Sequence, residues 1–180
     1  MITRIILGGF GGQGILMMGY VLATASMYEG RHVTCLPAYG AEMRGGTANC
    51  TVTVSDEPIA SPVALSYDIA ILMNGPSLLR FENNVRPDGI IFFNSDLIKS
   101  APQRTDVVVV GIPANTIAKK IGNLRIANMA MCGAVAEKTG LVPPESIINS
   151  VEYIFANKGP KIFEINTRAI REGALYIKNR

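Results

Sequence analysis

The segment Gly9-Phe10-Gly11-Gly12-Gln13-Gly14 constrains this chain more than any other. It fits G-x-G-x-x-G. Residues 3 to 8 before it form a short β-rich run containing Ile5-Ile6-Leu7, and Gln13 to Tyr28 after it is apolar almost all round. A glycine loop that leaves a buried strand and opens a buried helix is a Rossmann-like first βα unit. Glycines permit the tight turn and let backbone N–H groups approach a phosphate at the helix N-terminus. Four glycines in six residues exceed what packing alone requires.

The rest of the chain reads as α/β. His32 to Leu36 is a second strand, which Pro37 is expected to stop. Asn49 to Ser55 alternates Thr and Val, the pattern of a half-buried strand. Asp68 to Met73, Gly89 to Phe93 and Val107 to Ile112 are continuous apolar runs, suited to strands covered on both faces. The spacing predicts helices from Pro76-Ser77, after Pro113, over Ala127 to Lys138, around Ile147 to Phe155, and over Thr167 to Lys178. The expected architecture is three-layered: a mostly parallel sheet, helices on both faces and a helical C-terminal end, in one domain over residues 1–180.

Composition narrows the function. Apolar residues make up 48% and charged residues 17%, against about 25% charged in an ordinary domain. That content excludes disorder, and the low charge suggests that part of the surface is interface. The apolar runs are far shorter than the roughly 20 residues of a membrane span. Net charge is +3, with six basic and two acidic residues after position 157; without interleaved aromatics this is a solvated helix end and not a nucleic-acid site. Cys35, Cys50 and Cys132 have the spacing of neither a disulfide framework nor a metal or iron–sulfur motif. They read as buried thiols in a reducing compartment, and the short apolar stretch at the N-terminus is no signal peptide, so the cytoplasm is expected.

The ligand suggested by the loop bears phosphate, yet the usual partners are missing. The second strand ends Cys35-Leu36-Pro37-Ala38 without the carboxylate that would hold the ribose hydroxyls of NAD. Gly14 is followed by Ile15 where a P-loop needs Lys-Ser/Thr. A second glycine-bearing segment, Pro37 to Asn49, would lie at the same sheet edge if the sheet is parallel. There Arg44 offers a fork of donors to phosphate and Glu42 could orient it. Asn74 ends a strand and suits a ligand or a helix cap, and Asn128 suits a core hydrogen bond. His32 is the only histidine, and no Ser/His/Asp set, metal cluster or thiamine-diphosphate motif is present. A complete catalytic apparatus is absent from this sequence.

G-F-G-G-Q-G at 9–14, P-A-Y-G-A-E-M-R-G-G-T-A-N at 37–49 and S-D-E-P-I-A-S-P at 55–62 occur in an order that resembles the gamma subunit of the 2-oxoacid:ferredoxin oxidoreductases. Asn74-Gly75-Pro76-Ser77 and Asn128-Met129-Ala130-Met131 extend the resemblance over essentially the whole chain. It implies a subunit, inactive alone, of an enzyme converting a 2-oxoacid and coenzyme A to acyl-CoA and carbon dioxide, with electrons passing to ferredoxin. It places thiamine diphosphate, Mg2+ and iron–sulfur clusters on companion alpha, beta and delta subunits. By the same resemblance, Gly9, Gly11, Gly12, Gln13 and Gly14 face coenzyme A, with Tyr39, Gly40, Glu42, Arg44, Gly45, Gly46, Thr47 and Asn49 from the second segment. The wording Y-G-A-E-M-R-G-G is nearest to 2-oxoglutarate and branched-chain (ketoisovalerate) members. Two other readings stand beside it: a free-standing dinucleotide-binding oxidoreductase, from the glycine loop, and a purely structural interaction subunit, from the low charge.

Overall fold

Ile5, Ile6 and Leu7 are each at most 1% exposed, as a strand covered on both faces requires. They belong to β1 (Ile2–Phe10) in the computed structural model, which describes residues 1–40 and 46–180. The chain continues through α1 (Ile15–Tyr28), β2 (His32–Tyr39), β3 (Thr47–Ser55), β4 (Tyr67–Leu72), α2 (Gly75–Phe81), β5 (Val85–Asn94) and β6 (Val108–Ile112). It ends in α3 (Ala114–Ile121), α4 (Ala127–Thr139), α5 (Pro144–Ile154) and α6 (Pro160–Lys178). The six described strands form one mixed sheet in the order β2-β3-β1-β4-β5-β6. Strands β1, β4, β5 and β6 pair in parallel; β3 is antiparallel to both neighbours, β1 and β2. The mostly parallel sheet with helices on both faces and a helical C-terminal end is as the sequence indicates.

Two details differ from the sequence reading. First, β2 runs on through Pro37 to Tyr39, with Pro37 opposite Cys50. Proline is tolerated because β2 is an edge strand and its missing N–H faces away from the ladder. Second, β3 is buried along most of its length, down to Thr53 at 1% exposed. Its alternation reports a position inside the sheet, between β2 and β1, and not a wet face. β1 and β2 are not neighbours in the sheet, since β3 is inserted between them.

The layers are unequal. Ile5, Leu7, Cys50, Val52, Ile71 and Phe92 point to one face, where α1, α3, α4, α5 and α6 cover them. Ile6, Ala70, Leu72, Ile91 and Phe93 point to the other, where Leu78 and Phe81 of α2 join them. α1 has no polar stripe because it is buried at Ile15, Met18, Val21, Leu22 and Ala25. No helix among the described residues is long and apolar enough to cross a membrane. Among the same residues no three His, Cys, Asp or Glu side chains gather as a metal site.

Candidate functional site at the carboxyl edge of the sheet

After β1 the chain leaves over the helix-rich face through α1. After β4 it leaves over the opposite face through α2. β1 and β4 are neighbours, so their carboxyl ends form a topological switch point, the place where open α/β sheets bind ligands. The glycine loop sits there. Gln13 N–H donates to Phe10 O at 3.1 Å, closing the turn, and Met73 N–H donates to Gly8 O at 2.8 Å across the crevice.

Gly12 and Gly14 have φ of 93° and 72°, left-handed values that glycine adopts without strain. Gly14 is the N-cap of α1, and Asn128 Nδ2 donates to its carbonyl at 3.3 Å. A Cβ at Gly14 would lie 2.2 Å from that nitrogen. The role the sequence suggested for Asn128 is therefore local: it ties α4 to the start of α1.

The second segment does reach this edge. β1 and β2 point the same way because each opposes β3, and Ala48 faces both Gly9 and Tyr39. Gly11 N–H donates to Gly46 O at 3.0 Å, and Gly40 N–H to Thr47 O at 2.8 Å. Thr47 thus stands beside the glycine loop. Tyr39 is 74% exposed at the end of β2. Asn49 alternates with Ala48 and Cys50, which face the helix-rich core, and so points to the opposite face. Glu42, Arg44 and Gly45 lie outside the described residues.

Side-chain amides line the rest of the edge. Asn74 Oδ1 accepts from Ser77 N at 2.9 Å, capping α2, and Asn74 Nδ2 donates to Gln13 Oε1 at 3.1 Å. Asn94, fully buried at the end of β5, donates to Asn115 Oδ1 at 2.8 Å. A cleft of about 230 Å³ opens between the glycine loop and the α3–α4 connection, lined by Gly12, Gln13, Met73, Asn115, Leu124, Arg125 and Ala127. Arg125 is exposed and forms no ion pair among the described residues. The first turns of α1 and α4 contain no acidic residue, so both helix N-termini add positive potential. Among the described residues no carboxylate lines the cleft, and Asp96, outside the lining, accepts from Thr116 N at 2.6 Å and Thr116 Oγ1 at 2.9 Å. The arrangement favours an anion.

Sequence reasoning missed Asn94, Asn115 and Arg125. Asn94 carried a usable signal, since it ends an apolar strand just as Asn74 does. Arg125 carried none, because it lies between helices that are distant in sequence from the loop. The motif at 55–62 does not join this edge; it borders a separate cleft with Met1, Ile2 and Arg4 at the amino ends of the strands.

Comparison with known proteins agrees with this architecture. The pyruvate ferredoxin/flavodoxin oxidoreductase family matches residues 4–176. The ketoisovalerate oxidoreductase subunit VorA of Methanothermobacter marburgensis is 39% identical over 174 residues, which are 96% of this chain and 36% of VorA. The 2-oxoglutarate synthase subunit KorC of the same organism is 33% identical over 94% of this chain and 97% of its own length. The chain thus spans about a third of VorA and nearly all of KorC. A 2-oxoglutarate:ferredoxin oxidoreductase from Magnetococcus marinus, solved with 2-oxoglutarate, coenzyme A and succinyl-CoA bound, superimposes with a TM-score of 0.90 at 23% identity. That match covers 99% of this chain and 31% of the other. A keto/oxoacid ferredoxin oxidoreductase gamma subunit from Geobacter sulfurreducens gives a TM-score of 0.82 at 24% identity, covering 99% of each chain. At those identities the likeness is one of fold, but the family match spans both glycine segments, the strand-end amides and the helical C-terminal end, and the chain belongs to the pyruvate ferredoxin/flavodoxin oxidoreductase family.

Proposed function

We propose that residues 1–180 form one gamma-type domain of a 2-oxoacid:ferredoxin oxidoreductase and hold the phosphate-bearing part of coenzyme A at the carboxyl edge of the sheet. The observation that carries this is the Gly11 N–H to Gly46 O bond, which joins the two glycine segments at the switch point. Backbone N–H groups of Gly12 and Gly14, the N-termini of α1 and α4, and Arg125 supply positive potential to the adjoining cleft, while the Gly11 and Gln13 N–H groups are engaged within the protein. Its volume of about 230 Å³ falls below the roughly 300–1,000 Å³ of a complete small-molecule site. It therefore takes a phosphate group, with Arg44, Tyr39 and Thr47 meeting the remainder of the ligand.

The chain supplies no redox group of its own in this reading. Thiamine diphosphate, Mg2+ and iron–sulfur clusters reside on alpha, beta and delta partners, ferredoxin is the acceptor, and the isolated chain is inactive. Relatives named for ketoisovalerate and 2-oxoglutarate favour those substrate classes. The test is photolabelling of the assembled complex with a coenzyme A photoprobe. Label on residues 9–14, 37–49 or 115–127, displaced by free coenzyme A, is the expected result. Label confined to other chains would remove the coenzyme A role and leave an assembly role.

A further inference from the structure

Cys35 on β2 and Cys50 on β3 bring their sulfurs within 3.4 Å of each other. The register sets Cys35 opposite Val52 and Cys50 opposite Pro37, so the two are diagonal neighbours. Gly19 of α1 lies directly over them. A Cβ at Gly19 would sit 2.6 Å from Cys50 Sγ and in ordinary contact with Cys35 Sγ at 3.7 Å, so the missing side chain is what leaves room for the Cys50 sulfur. Cys50 is fully buried, whereas Cys35 is half-buried on the edge strand. Cys132, the third thiol, is fully buried in α4, and burial pushes its pKa up to about 12.

We propose that Cys35 and Cys50 form an oxidisable dithiol that hydrogen peroxide converts to a reversible disulfide. The Cys35 thiolate attacks one peroxide oxygen and the O–O bond breaks. The departing hydroxide recovers the proton released by Cys35, giving water and a Cys35 sulfenic acid. Cys50 sulfur then attacks Cys35 sulfur. The S–S bond forms, the S–O bond breaks, and hydroxide leaves with the Cys50 proton as a second water. Two thiols lose two electrons in all, and one peroxide is reduced to two waters.

The environment assigns the roles. Cys35 is the half-buried thiol of the pair, and its hydrogen bond with Cys50 holds Cys35 below the ordinary thiol value and raises Cys50. The sulfurs must close from 3.4 Å to about 2.0 Å, a movement within reach of side-chain rotation. β2 and β3 are the strands that flank residues 40–46, and α1 opens at the glycine loop. The bridge would therefore fasten together the two strands that carry the second glycine segment, beneath the helix that opens at the first. The proposal stands whether or not that edge holds coenzyme A.

The test uses the full chain, reduced under anaerobic conditions, treated with hydrogen peroxide and then alkylated. Alkylatable thiols should fall from three to one, and the chain should lighten by two hydrogens. Tryptic peptide 32–44 should be joined to 45–80, and dithiothreitol should restore all three thiols. In Cys50→Ser, Cys35 should stop at the sulfenic acid and be trapped by dimedone. Three thiols surviving peroxide, a bridge that includes Cys132, a bridge only between two chains, or no dimedone label in Cys50→Ser would each overturn the proposal.

Discussion

The Oε1 atom of Gln13 accepts from Phe10 N–H at 2.7 Å and from Asn74 Nδ2 at 3.1 Å, so one side-chain oxygen joins the ends of β1 and β4. The Nε2 of the same amide donates to Met73 O at 3.4 Å. With its amide engaged by the protein itself, Gln13 holds the glycine loop in place across the crevice. Gln13→Ala removes all three bonds and leaves the Phe10 N–H without its acceptor. The expected cost is about 1–3 kcal/mol, measured as a lower urea midpoint with an unchanged slope. An unaltered midpoint would mean that the bridge contributes nothing to stability.

Gly14 and Asn128 give a sharper test because their coupling is steric. Gly14→Ala must place a methyl group where Asn128 Nδ2 stands, at a φ of 72° that alanine resists. Asn128→Ala vacates that space and loses one bond. In the double variant only the left-handed strain of about 1–2 kcal/mol should remain. Gly14→Ala should thus cost less in the Asn128→Ala background than in the natural chain. Additive costs in the double-mutant cycle would show that the two side chains do not meet.

The crossing of α4 and α6 rests on two glycines that face each other's backbone. A Cβ at Gly133 would lie 2.0 Å from Ile170 O, and one at Gly173 would lie 1.9 Å from Ala130 O. Alanine ordinarily improves a helix interior by about 1 kcal/mol. Here Gly133→Ala and Gly173→Ala should both lower the thermal midpoint, because carbonyl oxygens on the facing helix cannot rotate aside as a side chain can. A raised midpoint in either variant would refute this close approach.

Arg104 holds the segment before β6 against the start of β5. Its guanidinium pairs with Asp106 at 2.9 and 2.5 Å and donates to Glu82 O at 2.7 Å and Val85 O at 2.6 Å. The Arg104 hydrogen bond keeps the Asp106 carboxyl below its usual value. A carboxyl with a depressed folded-state pKa contributes its full stability above the unfolded value of about 4. That contribution disappears as pH falls through the lower folded value. The stability difference between the natural chain and Asp106→Asn should be constant near neutrality and shrink in acid. Urea midpoints across that range check it, and a difference that persists in acid would point to another cause.

The sheet was more legible than the site. Continuous apolar runs such as Ile5-Ile6-Leu7 and Ile69 to Leu72 announce doubly covered strands, because no polar residue interrupts them. The antiparallel insertion of β3 was not legible: strand order depends on which neighbour α1 carries the chain past, and nothing in Thr51 to Val54 encodes a neighbour. Pro37 misled for a related reason, since a residue that ends a central strand is harmless on an edge. The glycine loop was visible because its residue types are needed consecutively. Arg125 and Asn115 were not, because the fold brings them to the loop from more than a hundred residues away.

Arg125 is therefore the residue on which the coenzyme A reading can be tested without disturbing the fold. It is exposed and its side chain forms no ion pair among the described residues, so Arg125→Ala should leave the thermal midpoint of the chain unchanged. A charge-assisted bond to a phosphate is worth about 1.5–3 kcal/mol, and solvent screening at an exposed position brings it to the lower end. In the assembled complex, Arg125→Ala should weaken coenzyme A binding about tenfold, equivalent to ~1.4 kcal/mol, and flatten its dependence on salt. Pantetheine, which shares the thiol arm and carries no phosphate, should bind both forms equally. Equal losses for both ligands would assign Arg125 to the arm and not to the phosphate. Unchanged coenzyme A binding would take Arg125 out of the site altogether while leaving the family membership of the chain intact.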